Sequence, residues 1–463
     1  MSPVDTAIRS VHRAINSFRP MTMPMMTRAH YRRELVAWAF LPVLMGVVEG
    51  GMISVIAKNA FEGRVNNAWL NFAVAVLAGA PAFANITSFL WAALANGRDK
   101  VRFMVALKIA TAVMILMIAL LPLNAVGLVL LTLLVIGTRA CWAGVVTIRS
   151  TVWRANYPRS ARANMAGKLA TIQAFVIAGT GWFVAEMMTL EENSFRIIYP
   201  AAAIIGTIGA LVYRGLRVRG HRALLRAEKR DGSSLAMVNP WQLVRVLRED
   251  RDYRSFMVCM FIFGTGNMMI TAPLVIMLRD VFEMSYRGGM LISGVIPIAL
   301  MPLSIPIWSK LLDRMHVIRF RAIHSWTFVA AALVMLLAAL LVEPILLWVA
   351  AVLKGFAFGG GVLAWNLGHH DFAPAHKASQ YMGVHVTLTG LRGFLAPVLA
   401  VGLYELFNRV FYENAGSWVF AICLALNVIG AIGFMKMHRR MVARREKVDF
   451  GEDGPPIQPP AAG

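Results

Sequence analysis

The sequence predicts an all-α integral membrane protein whose twelve transmembrane helices form two pseudo-symmetric six-helix bundles. Three observations carry this expectation. Apolar residues make up 58% of the 463-residue chain and charged residues only 15%, whereas soluble domains average about 45–50% apolar residues with glycine included and about 25% charged. Twelve apolar runs reach the ~20 helical residues needed to cross a ~30 Å hydrocarbon layer. Features of the first six runs return in the second six at a nearly constant offset. Backbone groups in hydrocarbon must satisfy one another, so runs of this length are helices.

In chain order, a polar segment (1–34) precedes runs at 35–57, 69–95, 101–123, 126–150, 164–188 and 195–213. A basic segment (214–254) follows, then runs at 255–279, 288–312, 322–342, 345–368, 381–404 and 417–436, and a tail (437–463). An even number of spans puts both termini on one side. Of the 46 lysines and arginines, 36 lie on the face that carries the termini and the 214–254 segment. Six lie on the other: Lys58, Arg64, Arg196, Arg279, Arg287 and Arg409. This asymmetry assigns the basic face to the cytoplasm. The net charge of +22 is therefore an orientation signal. It implies the lipid bilayer of the cell inner membrane as partner and no nucleic acid.

No cleavable signal peptide is expected, because the first apolar run starts late and is too long for one. Within 1–34, Val4, Ile8, Val11, Ile15 and Phe18 recur at helical spacing among Arg9, His12, Arg13 and Arg19. This reads either as a basic amphipathic helix on the inner leaflet or as a partly ordered tail. The terminal GEDGPPIQPPAAG is expected to be disordered. The 214–254 segment reads as a linker ending in a short interfacial helix, NPWQLVRVLRED, with Pro240 in its first turn. Cys141, Cys259 and Cys423 all fall in apolar runs and read as packing residues.

The repeat is visible in LANGRDKVRF (94–103), matched 217 residues on by LLDRMHVIRF (311–320). Likewise YPRSARANMAGKLAT (157–171) aligns with APAHKASQYMGVHVT (373–387) at an offset of 216. Six-span internal repeats are a transporter architecture. With these features the chain resembles major facilitator superfamily transporters over essentially all twelve spans. That family carries a G-x-L-x-D-R-x-G-R-K-like sequence between its second and third helices, often echoed between the eighth and ninth. Here the second copy keeps Asp313, Arg314 and Arg319; the first has Arg98 and Arg102 but Asn96 in place of Asp, and neither keeps the family glycine. The resemblance implies alternating access about a midplane site lined by the first, fourth, seventh and tenth helices. It also implies that Asn96, Arg98, Arg102, Asp313, Arg314 and Arg319 belong to a cytoplasmic gate.

A charge in hydrocarbon costs about 2.5–3.5 kcal/mol, so Glu49, Arg139, Lys354 and Arg392 at mid-span would together cost roughly 10–14 kcal/mol. They are expected to face a wet cavity or one another. Lys108, two turns into its helix, is expected to snorkel to the cytoplasm. Glu49 on the first span and Arg139 on the fourth lie at depths that permit a pair. Proton-coupled members of the family often place a carboxylate and an arginine there, so the resemblance implies proton coupling. A carboxylate beside an arginine stays ionised, and it accepts a proton when the partner leaves. The alternative is a static pair that holds two helices together.

Lys354 stands 215 residues after Arg139, and His385, Thr389 and Arg392 share one helix face. Three cations with one mid-span acid point to a cavity that prefers an anion, which arginine clamps bidentately. Lys354 and Arg392 are the candidate binders, with Asn85, Gln173, Asn267, His385 and Thr389 as neutral candidates. Otherwise Lys354 or Arg392 reaches a backbone carbonyl, or Glu186 and Glu405. Pro297, Pro302 and Pro306 predict kinks in the eighth span, and Gly355 with Gly359, Gly360 and Gly361 close packing of the tenth. His369, His370, Asp371 and His376 lack the spacing of a closed metal site and read as a loop or gate. No metal, cofactor or covalent chemistry is expected.

These features favour a proton-coupled secondary transporter of a small organic anion, acting as a monomer. A second reading is a polyspecific exporter of lipophilic compounds, which the 28 methionines would suit. The glycine-rich AFVIAGTGWF lacks the proline common in such exporters of the family, and this counts against it. A third is a transporter-like membrane scaffold or assembly factor that moves nothing.

Overall fold

A computed structural model describes residues 16–231, 240–373, 378–411 and 414–449. The segment carrying Val4 to Ile15, the GEDGPPIQPPAAG tail and His376 lie outside them. Among the described residues twelve helices are long and apolar enough to cross a membrane: α1 (Met25–Ala60), α2 (Asn67–Ala95), α3 (Lys100–Ile118), α4 (Ala125–Asn156), α5 (Asn164–Leu190) and α6 (Glu192–Arg214), then α7 (Arg251–Asp280), α8 (Tyr286–Leu312), α9 (Val317–Leu341), α10 (Pro344–Asn366), α11 (Gln380–Val410) and α12 (Ala415–Ala443). No strand occurs among the described residues.

Polar residues punctuate the apolar runs for a local reason. The side chains of Asn66, Asp99, Asn124 and Asp250 accept hydrogen bonds from first-turn N–H groups of α2, α3, α4 and α7, which those turns otherwise leave unpaired. Large apolar residues such as Leu120, Ile197, Leu303 and Leu399 are exposed, as lipid-facing surfaces require. The helix that opens α1 begins at Arg28, earlier than hydropathy alone indicated. Tyr31 and Glu34 turn inward there while Arg32 and Arg33 face out, so a buried face hides inside a polar-looking stretch.

Within the first half α3 packs on α4 and α6; within the second, α9 packs on α10 and α12. The halves meet where α2 lies on α11 and α5 on α8, two seams that the six-helix repeat makes equivalent. At the first seam a Cβ on Gly393 would stand 2.6 Å from the Phe83 nitrogen, so glycine is what lets α11 approach α2. The Phe83 and Phe394 rings pack alongside, 5.2 Å apart. At the face opposite the basic one, three ion pairs cross between the halves: Lys58–Asp280 (2.9 Å), Arg279–Glu62 (2.5 Å) and Arg287–Glu186 (2.9 Å). Asn71 also donates to Glu405 there.

The linker holds two helices, His221–Asp231 and Pro240–Glu249; only the second was legible in the sequence. Glu228 of the first accepts from Lys100 Nζ (2.6 Å) and the Gly97 N–H (2.9 Å), tying the linker to the α2–α3 loop.

Several spans are irregular within their length, α2 among them at the 3₁₀ turn Ala84–Thr87. In α1 the helical segments Pro42–Gly46 and Gly50–Ala60 are separated by residues 47–49, with Glu49 extended (φ −66°, ψ 132°). In α7 the helix is interrupted at Ile270, just after the Met269 carbonyl that Pro273 cannot donate to. In α8 a π-helical turn, Leu291–Val295, ends two residues before Pro297. The missing Pro297 N–H frees the Ser293 carbonyl, which lies 2.8 Å from where a Cβ on Gly51 would be. Pro302 and Pro306 sit within the continuous segment Ile296–Leu312.

Candidate functional site

The break in α1 frees two backbone carbonyls, and each finds a donor. Tyr199 of α6 donates its hydroxyl to the Val47 carbonyl (3.2 Å). Arg139 of α4 donates to the Val48 carbonyl through Nη2 (2.6 Å) and Nε (3.2 Å), and Nη2 also meets Glu49 Oε2 at 2.8 Å. Arg139 is only 7% exposed. One guanidinium thus caps unwound backbone and neutralises the acid beside it, which the planar fork of arginine permits and a lysine would not.

The second half has a looser counterpart: the interruption at Ile270 keeps helical torsions (φ −68°, ψ −40°) and lies further along its helix than the break in α1. Lys354 of α10, the counterpart of Arg139, also stands at a break: its Nζ lies 3.5 Å from Thr271 Oγ1, the first residue after the interruption in α7. Among the described residues no carboxylate answers the cation here. Lys354 instead borders a cavity of about 380 Å³ walled by α2, α7, α9, α10 and α11, a size within the ~300–1,000 Å³ of small-molecule sites.

Three cations line that cavity: Lys354, Arg392 and Arg321. Arg392 donates to the Met260 carbonyl and, through Nη2, to Thr389 Oγ1 at 3.1 Å. It fits because residue 264 is glycine; a Cβ there would stand 2.5 Å from the guanidinium carbon. Arg321 is 3% exposed and makes no hydrogen bond or ion pair among the described residues, its Nε being buried and unpartnered. Asn267, Asn366 and Thr389 add neutral polar groups, Phe263, Phe328, Phe358 and Trp365 supply aromatic walls, and no Asp or Glu is among the lining residues.

Arg321 was missed by sequence reasoning because a hydropathy boundary at 322 left it with the preceding loop. The usable signal was the spacing of Arg321, His324 and Phe328, which puts all three on one face of α9. Of the candidates read from the sequence, Lys354, Arg392, Asn267 and Thr389 come together at the cavity. His385 does not reach it; it is buried behind Trp365, ring centroids 5.5 Å apart. Asn85, in the 3₁₀ turn Ala84–Thr87, and Gln173 on α5 are half-buried and outside the lining. Helices α7 and α10 line the cavity, but α1 and α4 do not; α9, α11 and a short stretch of α2 take their place. The Glu49–Arg139 pair is therefore separate from the cavity. Glu186 and Glu405 are engaged by Arg287 and Asn71 rather than by Lys354 or Arg392.

The loop residues stand apart. Asn96 is half-buried, Arg98 lies over the Phe103 ring (5.8 Å), and Arg102 is 3.8 Å from Asp99. Asp313, Arg314 and Arg319 are exposed, and no ion pair joins the two copies of the motif among the described residues. Asp371 has a local task, accepting from the Val317 N–H (2.7 Å) at the start of α9. Lys108 does not snorkel. It is buried with Nζ 3.0 Å from the Tyr213 ring centroid, in the polar interior of the first half that also holds Glu34 and Arg149. Glu34 is fully buried and accepts from Trp153 Nε1 (2.8 Å), while Arg149 lies over the Trp38 and Trp153 rings.

The family model of the Major Facilitator Superfamily matches residues 66–397. The chain belongs to that superfamily. Its architecture is shared with solved members at low sequence identity. The nucleoside transporter NupG superposes with a TM-score of 0.65 at 12% identity, covering 88% of this chain and 98% of that one. The D-xylose–proton symporter gives 0.65 at 12% identity (87% and 98% covered), and the peptide transporter POT in complex with sulfate 0.62 at 15% (88% and 95%). Among curated proteins no sequence matches significantly. As a member of the superfamily the protein is a multi-pass membrane protein of transporter fold, and the paired breaks in α1 and α7 fall in equivalent helices of its two halves.

Proposed function

We propose that this protein is a secondary active transporter that moves a small organic anion by alternating access, coupled to protons. It works as a monomer in the cell inner membrane with its basic face and both termini in the cytoplasm. The observation that carries this reading is the cavity at which Lys354, Arg392 and Arg321 converge without a carboxylate. Buried charge without a partner is an expensive arrangement, and an anion clamped by guanidinium forks relieves it. The ion pairs at the opposite face support an inward-facing conformation, with the bundles sealed on the far side.

Coupling is assigned to Glu49 and Arg139. Their contact depends on the unwound backbone at Val48, so any rocking that moves α1 against α4 strains the pair and frees the carboxylate to take a proton. One fold relative is named as a proton symporter, and another was solved with sulfate, an anion. The aromatic rings and the lining methionines Met260 and Met268 favour a second reading, export of lipophilic compounds.

A thermal-shift screen against carboxylates, phosphates, sugars and lipophilic drugs selects the solute. Uptake into proteoliposomes is then measured with and without a pH gradient. Gradient-driven uptake of an anion is expected, and Glu49→Gln should abolish it while leaving solute exchange intact. Unchanged driven uptake would remove Glu49 from the mechanism; preference for neutral lipophiles would favour the exporter; no movement of any solute would favour the scaffold.

A further inference from the structure

The same cavity carries more charge than one carboxylate can answer. Lys354 and Arg392 lie at similar depth: each is twelve residues from the basic end of its helix, roughly 18 Å along a 1.5 Å rise. Arg321 lies four residues into α9, roughly 6 Å from that end by the same rise. The positive charge is thus spread over roughly 12 Å of helix depth. A monoanion would leave two cations facing each other across apolar walls. The three also differ in what they already hold. Arg392 has Met260 and Thr389, and Lys354 has a long contact with Thr271. Arg321 makes no hydrogen bond or ion pair among the described residues, and its buried Nε has no partner, although the side chain is nearly sealed from solvent.

The walls between these charges are aromatic and contiguous. Phe263 meets Phe328 edge to face with centroids 5.6 Å apart, and Phe328 meets Phe358 at 6.0 Å. Lys354 Nζ sits 5.6 Å from the Phe358 ring centroid at the end of that chain. A flat ring stacks or packs edge-on against such walls, whereas a small hydrophilic acid leaves them unused.

We infer that the cavity takes a doubly charged organic anion whose two charges stand at separated points of a flat apolar body, an aromatic dicarboxylate being the simplest case. One charge is clamped deep, by Arg392 and Lys354; the other is met nearer the basic face by Arg321. This rests on the anion-transport reading above and narrows its substrate class.

The test is calorimetric titration of the purified full-length protein with four probes: terephthalate, benzoate, benzyl alcohol and succinate. Terephthalate should bind at least tenfold more tightly than benzoate and than succinate. Arg321→Met should bring terephthalate down to the affinity that the unaltered protein has for benzoate, and Arg321→Lys should restore the difference. Equal affinities for terephthalate and benzoate would overturn the second charge while leaving the anion reading standing. Succinate binding as well as terephthalate would overturn the aromatic body. Benzyl alcohol binding as tightly as benzoate would sink both readings, and saturable binding of none of the four would overturn the inference. If Arg321→Met left the terephthalate-to-benzoate ratio unchanged, Arg321 would not be the second clamp.

Discussion

Asp280→Asn tests whether the seal at the face opposite the basic one sets the conformational equilibrium. Lys58 is 1% exposed and its ammonium has two partners, Asp280 at 2.9 Å and Asn71 Oδ1 at 2.9 Å. The substitution keeps the shape of residue 280 and leaves a buried cation whose direct hydrogen-bond partners are neutral. Removing one partner of a buried pair costs about 3–5 kcal/mol, chiefly because the remaining charge is stranded. Asp280 is 35% exposed, so solvent already screens part of the pair, and about 2 kcal/mol is a fairer figure. Opening the seal would let Lys58 reach water and recover most of that. The ratio of sealed to open molecules should therefore fall on the order of 25-fold. Spin labels at the exposed Asn67 and Ser285, one on each half, report this by pulsed electron–electron resonance. A longer-distance population should appear in Asp280→Asn and recede when Lys58→Met is added, since the second substitution removes the stranded charge. A distance distribution identical to the parent in the single variant would refute the role given to this pair.

Two further predictions concern buried polar groups. Gly264→Ala places a methyl against the Arg392 guanidinium and should weaken anion binding at least tenfold by titration calorimetry, yet leave the unfolding temperature nearly unchanged, because alanine suits a helix better than glycine. Trp153→Phe removes the hydrogen bond that Glu34 receives in the interior of the first half and should cost about 2–3 kcal/mol in thermal unfolding; adding Glu34→Gln should recover part of the loss, and no recovery would mean that packing of the indole, not the charge, was decisive.

Much of this architecture was legible because hydropathy, lysine and arginine bias and the six-span repeat are long-range averages that tolerate local error. The Glu49–Arg139 contact was also within reach, since Glu49 was the only acid at mid-span and few cations lay at its depth. The parts that escaped depend on single residues at boundaries. Arg321 and Glu34 each sit one or two turns inside a helix whose end reads as polar loop, and only their burial separates them from solvated neighbours such as Arg319 and Arg33. The seal escaped for another reason. Lys58 and Asp280 are 222 residues apart, and no local pattern says that they meet.

The two halves use one design to different ends. At the break in α1 the cation on α4 meets an acid from the broken segment itself, and the charge is closed within the protein. Glu49 lies 216 residues before Thr265, the offset that also relates the loop motifs. Thr265 spends its hydroxyl on its own helix, donating to the Phe261 carbonyl at 2.8 Å. Nothing in α7 therefore plays the part of Glu49 toward Lys354. A repeat that had kept the acid in both halves would hold two self-neutralised cations and offer a ligand no charge. Because the acid stands in one half alone, the proposed function gives the first half a proton site apart from the solute and leaves the second half cations with no carboxylate among the lining residues of their cavity. On that reading, exchange of an internal carboxylate for an external one is the physical difference between the two halves.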